Sequence, residues 1–152
     1  MIYVTMDEPY ENQLQEDLFI RAAQAALSLA RLSETGNDLS IAIEGDDALQ
    51  ELNRQYRQID APTDVLSFES DETDPDTGNR YLGDIIISLP RAEAQAAAAG
   101  HTVEVELQLL VVHGVLHLLG HDHGEEEEKA RMWAAQRAAL DQLGCVLARY
   151  PD

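Results

Sequence analysis

The chain predicts an α+β fold, and three observations predict it. Residues 13–32 place Leu14, Leu18, Ala22, Ala25 and Leu29 along one helical face. Tyr81 to Ser88, with Ile85-Ile86-Ile87 at its centre, is the strongest strand signal in the chain. Leu107, Leu109, Leu110, Val111 and Val112 then form a stretch that is apolar nearly all round, the mark of a buried helix.

The elements follow in order. Ile2 to Met6 reads as a short strand, and the 13–32 helix closes near Gly36-Asn37. Leu39 to Glu44 is a strand, and 46–58 is a helix whose first residues are acidic, which complements the helix dipole. Pro62 breaks the chain before the strand Val65-Leu66-Ser67-Phe68. After Tyr81 to Ser88, Pro90 suits the first turn of a helix whose alanine run stops at Gly100. Thr102 caps the following buried helix. A last helix runs about 124–143 and stops at Gly144, with Asp122 and Glu125 in the places of a capping box. There are no repeats and no linker, so residues 1–152 read as one domain with about five helices.

Composition narrows the function. The 45% apolar content is ordinary for a soluble fold. The N-terminus has neither a basic nor an apolar leader region, and no apolar run approaches the length that spans a bilayer. A cytoplasmic protein with no membrane partner is expected. The one cysteine, Cys145, excludes an intrachain disulfide and reads as a small buried side chain. Twenty-nine acids against ten bases give a net charge of −19, which repels polyanions at long range. Taken alone, that argues against a nucleic-acid protein. The acids are clustered. Glu69 to Asp76 reads as a solvated loop between two strands, and Glu125 to Glu128 as the first turn of a helix. The first run lacks the ligand spacing of a calcium loop, because its closing Glu position is Ile85.

Four of the five histidines lie between His113 and His123. His113 and His117 are spaced i, i+4, so on a helix they share one face, with Cβ atoms roughly 5–6 Å apart. That separation lets two imidazoles close on one zinc ion. Gly120 permits a turn that brings back a third imidazole. His123 is the natural third ligand and His121 the competitor. Three protein ligands leave an open coordination position, the arrangement of catalytic zinc. One zinc per chain is expected, on the buried helix and the turn after it. The His-x-x-x-His-x-x-Gly-x-x-His frame is that of the metzincin proteases, which carry a general-base Glu after the first His. Here that position is Gly114, which cannot accept a proton.

Arg54 and Arg57 share a helical face upstream, where guanidinium groups suit phosphate. The plain alternative is surface arginines paired with Glu51 or Asp60. Asp64 and Asp84 read as turn or strand-end carboxylates that could also support a metal site, and His101 as a surface residue at a helix start.

The segment Asn53 to Asp60, with Tyr56-Arg57, is followed by Pro62-Thr63-Asp64-Val65-Leu66-Ser67-Phe68, by Leu82-Gly83-Asp84 and by His-Gly-x-Leu-His-Leu-x-Gly-His-Asp-His. These motifs, in this order across roughly residues 39 to 143, strongly resemble the YbeY family of bacterial metal-dependent endoribonucleases. The resemblance implies a zincin-like α+β domain with a small mixed sheet, zinc on His113, His117 and His123, and a functional arginine at Arg57. It also implies ribosomal RNA maturation, small-subunit 3′-end processing included, and ribosome quality control. The implied partners are single-stranded ribosomal RNA, small-subunit ribosomal proteins and ribosome-associated factors. His121 stands where the family usually has tyrosine, and Glu69 where many members have proline.

The expected chemistry is metal-assisted phosphodiester hydrolysis that depends on Arg57 and His113. Zinc polarises a phosphate oxygen or acidifies a water, and Arg57 offsets developing charge. With no general base in evidence, the RNA 2′-hydroxyl is an alternative nucleophile. Two other readings use the same residues: an assembly factor with a mainly structural metal, and a metal hydrolase of another substrate class.

Overall fold

The computed structural model describes residues 1–145 and 147. The strands are β1 (Ile2–Met6), β2 (Asn37–Glu44), β3 (Val65–Glu69) and β4 (Arg80–Ser88). The helices are α1 (Glu16–Leu29), α2 (Asp46–Arg57), α3 (Leu89–Ala99), α4 (Val103–Leu118) and α5 (Glu126–Gln142). The strands form one mixed sheet in the order β1-β2-β4-β3. β1, β2 and β4 run parallel, and β3 is antiparallel to β4. All four strands therefore lie within the first 88 residues, and the helices carrying the histidines come after them.

Alternation along the strands builds two unlike faces. Leu39, Ile41 and Ile43 of β2 lie beside Ile85 and Ile87 of β4, and all five are fully buried. This inner face packs on α1 and α4. α4 is wrapped by α1, α3, α5 and the sheet, which is why it is apolar nearly all round. Its approach to the sheet depends on Gly114: a Cβ there would lie 2.9 Å from Cγ2 of Ile85. The outer face carries Ser40, Ala42, Phe68, Asp84 and Ile86, and α2 covers only part of it. No helix among the described residues is long and apolar enough to cross a membrane.

Several boundaries differ from the sequence expectation. α1 is shorter than 13–32, because a 3-10 turn at Glu8–Tyr10 precedes it and Arg31 leaves the helical region with φ 60°. Its buried face centres on Phe19, Ala22, Ala23 and Ala26, with Leu14 and Leu29 at the margins. β2 starts at Asn37, where it pairs with Arg80. His101 is not a surface residue. The turn after Gly100 folds its ring inward, leaving the side chain 6% exposed with Nε2 3.5 Å from the buried Glu106 carboxylate. Burial pushes the Glu106 carboxyl up, and the adjacent imidazole opposes the shift. Cys145 is buried as expected, and burial raises its thiol pKa.

Candidate metal centre

Two of the three clustered imidazoles come from the last turns of α4. Thr102 Oγ1 accepts from Val105 N at 3.2 Å and starts the helix. The helix ends in a Schellman turn: Gly120 N donates to His117 O and His121 N to Leu116 O, both at 3.0 Å. The turn needs φ +97° at position 120, which glycine supplies. The chain then doubles back and carries His123 over the helix end. Asp122 Oδ1 accepts from His123 N at 2.7 Å and so helps to orient this residue.

Asp122 does not head a capping box. The N-cap of α5 is Glu125, which makes no side-chain cap bond, and the Asp122 carboxylate is used in its own turn. The acidic first turn of α5, Glu126 to Glu128, is present as expected.

The imidazoles converge. One ligand atom from each of His113, His117 and His123 lies within 4.8 Å of the others, and this is the one such group among the described residues. The Nε2 atoms of His113 and His117 are 3.1 Å apart. Two nitrogens about 2.0–2.1 Å from a tetrahedral ion are about 3.3 Å apart, so the pair suits a shared metal. His123 completes the cluster, its ring 5.6 Å from His113 and 5.3 Å from His117. His121 takes no part in it. Its side chain lies with Asp122, Glu128 and Arg131 around a polar hollow of about 200 Å³.

The electrostatics favour metal binding. Burial, reinforced by the neighbouring imidazoles, lowers the His113 pKa to about 4 against the opposing Gln136 hydrogen bond. Burial and then His123 hold His117 below its usual value, and the Arg57 charge adds to that. Both rings are thus neutral near pH 7, the form a metal requires. Gln136 on α5 sets the tautomer. It is 1% exposed, and its Oε1 lies 2.5 Å from His113 Nδ1. The amide oxygen accepts the Nδ1 proton, which leaves the Nε2 lone pair facing the other histidines. Trp133, one turn earlier, packs against His113 and His123 at 5.9 and 5.6 Å.

The sequence reading had missed Gln136 and Trp133. A signal for the first existed: Met132, Gln136 and Leu140 repeat at i, i+4 on the buried face of α5, and a glutamine at such a position needs a buried partner.

The two arginines separate. Arg54 pairs with Glu51 on an exposed face, through Nε at 3.0 Å and a second contact from Nη2. That is the ordinary surface pairing, of little energetic weight. Arg57, the last residue of α2, has no ion-pair partner among the described residues and is close enough to His117 to affect its titration. Asp64 caps the start of β3, accepting from Val65 N at 2.8 Å. Asp84 accepts from Tyr81 on the outer face of the sheet.

The chain is similar to known proteins over most of its length. The family profile described as Endoribonuclease YbeY matches residues 4–144. Endoribonuclease YbeY of Brevibacillus brevis is 42% identical over 149 residues, covering 90% of this chain and 91% of that protein. The protein of the same name from Desulfitobacterium hafniense is 48% identical over 127 residues, covering 80% of each chain. Among solved structures, the solution structure of TM1509 from Thermotoga maritima is similar with a TM-score of 0.58 at 25% identity, covering 95% of this chain and 92% of that one.

Proposed function

The chain belongs to the YbeY endoribonuclease family, and from that premise we propose that it is a zinc-dependent, single-strand-specific endoribonuclease of ribosomal RNA maturation, acting at the small-subunit 3′ end and in ribosome quality control. The observation that carries the reading is the convergence of three imidazoles, two of them held neutral, within electrostatic reach of Arg57, which has no carboxylate partner among the described residues. His113, His117 and His123 would hold the ion. When bound, zinc supplies Lewis acidity towards a phosphate oxygen or a water. Gln136 keeps the His113 proton on Nδ1, and Trp133 packs against the rings of His113 and His123. Arg57 presents a forked donor to the phosphate and offsets the charge that develops there.

The position that carries the zincin base is Gly114 in this chain. The backbone at 114 faces Ile85, so a side chain at that position would point into the sheet. Either a water or the RNA 2′-hydroxyl can therefore be the nucleophile, and the product ends distinguish them: a 2′,3′-cyclic phosphate marks internal attack. We propose a cytoplasmic location, and small-subunit ribosomal proteins as partners. The −19 charge suits basic proteins better than bare polyanions.

Metal analysis of protein purified without chelator, run beside cleavage of a single-stranded RNA, tests the proposal. About one zinc per chain and cleavage that chelator abolishes are expected. His113→Ala should lose metal and activity while retaining its fold. Zinc content unchanged in His117→Ala would overturn the ligand assignment, as would metal loss in His121→Ala as severe as in His123→Ala.

A further inference from the structure

The outer face of the sheet carries a groove that the metal centre does not use. It is about 380 Å³ and lies between α2 and strands β2, β4 and β3. Ala42, Leu52 and Ile86 give it an apolar floor. Tyr56 and Phe68 form one wall as an edge-to-face pair, with centroids 5.2 Å apart and planes at 65°. Tyr56 is 58% exposed, unusual for so large a ring. The polar end is a fixed network: the Tyr81 hydroxyl donates to Asp84 Oδ1 at 2.5 Å and lies 2.8 Å from Ser40 Oγ. Asp84 Oδ2 accepts no hydrogen bond, and no cation pairs with this carboxylate, among the described residues.

We propose that this groove is a nucleobase pocket that selects guanine in single-stranded RNA, with Tyr56 and Phe68 as the stacking surface and Asp84 as the acceptor. The inference rests on the endoribonuclease reading and adds base selection to it. An apolar slot walled by one exposed ring, Tyr56, and one half-buried ring, Phe68, is the kind of surface on which unstacked bases of single strands dock. A carboxylate is an acceptor only, so it selects for donors. Guanine offers two adjacent ones, N1–H and the 2-amino group. Adenine and cytosine each place a ring acceptor beside the single amino group, and uracil flanks its one N–H with two carbonyls. The carboxylate therefore favours guanine and opposes the other three. Tyr81 supports the geometry. Its pKa is pushed up to about 12, by burial first and then by Asp84, so it remains a donor and keeps Asp84 oriented.

The groove is also placed for the reaction. Arg57 follows Tyr56 directly at the end of α2, so its backbone lies at the end of the helix that walls the groove, within reach of a long side chain for a phosphate beside a base on Tyr56. Arg57 is in turn electrostatically coupled to His117. The apolar floor keeps the base inside and the phosphate outside, which suits an acidic protein whose Arg57 has no ion-pair partner among the described residues.

The test uses the zinc-loaded protein and three RNAs: an oligouridylate, the same with one guanosine, and the same with one adenosine at that place. Wild type should cleave the guanosine RNA with kcat/KM about tenfold above the adenosine RNA, the discrimination of one good carboxylate contact. Asp84→Asn presents an amide donor to the base while leaving an oxygen for Tyr81. It should bring that ratio to one or below, because the guanosine contact is lost and the amide no longer opposes adenine. Tyr56→Leu, at an exposed position, should raise KM on every RNA about tenfold at unchanged zinc content. Cleavage without guanosine preference, or a preference that persists in Asp84→Asn, overturns the pocket and leaves the endoribonuclease reading standing. No cleavage of any of the RNAs overturns both.

Discussion

Replacing Gln136 by leucine removes the acceptor for His113 Nδ1 and changes little else, because the position is 1% exposed and leucine fills a similar volume. The His113 ring then has two options. It keeps the proton on Nδ1, buried without a partner, at a cost of about 1–3 kcal/mol. Or it moves the proton to Nε2 and blocks the atom that faces the other histidines. Either cost falls on the metal-bound state. At 1.36 kcal/mol per tenfold, 1–3 kcal/mol is about 5- to 150-fold in zinc affinity, in the range observed when a ligand's hydrogen-bond partner is removed. Competition against a chromophoric zinc chelator at pH 7 measures this directly. Gln136→Leu should bind zinc about 10- to 100-fold more weakly, and Gln136→Glu, which retains an acceptor, should recover most of the loss. Zinc binding by Gln136→Leu within twofold of wild type would refute the tautomer argument.

Three further outcomes are expected. Arg57→Ala should cleave RNA about ten- to a thousandfold more slowly with zinc content and thermal midpoint unchanged, and Arg57→Lys should recover part, since a point charge replaces a fork; wild-type rates would return Arg57 to the solvated surface. Gly114→Ala places a methyl 2.9–3.1 Å from three atoms of Ile85, an overpacking of about 1–3 kcal/mol set against about 1 kcal/mol of helix propensity. A net loss near 1 kcal/mol is about 2–4 °C in Tm by calorimetry, and a rise in Tm would show slack between α4 and β4. Tyr81 ionises later in the folded chain than in the unfolded one, so its contribution to stability is complete below pH about 10 and is lost as pH rises towards about 12; Tyr81→Phe should show a shallower alkaline fall in Tm over that window, and identical slopes would refute the assignment.

What was legible in the sequence followed from periodicity. The four strands and five helices of the described residues lie within a few residues of where alternation and 3.6-residue spacing put them, because the inner faces of β2 and β4 and nearly all of α4 are buried. The histidine spacing placed three rings together because a helix end and a glycine turn are local structures. Failures came where distant groups decide. Asp122-x-x-Glu125 has the spacing of a capping box, but the carboxylate is engaged by His123 N, and the helix begins three residues later. His101 follows a glycine and looks exposed, yet packing of the α3–α4 turn buries it against Glu106. Gly114 was legible only as a missing base. That the same glycine lets α4 approach Ile85 depends on a strand about thirty residues away.

Chain order has a consequence for biosynthesis. The sheet is complete at Ser88, the first clustered histidine is residue 113, and Gln136 comes later still. A chain that emerges from its N-terminus can pair all four strands before any clustered histidine has been made. A chain arrested after Gly120 would present His113 and His117 without His123 and without the glutamine that sets the tautomer. At about 5–20 residues per second, the interval between the first ring and Gln136 is on the order of seconds. A metal held by these histidines would therefore be captured late in synthesis, a lock on an assembled sheet rather than a seed for it.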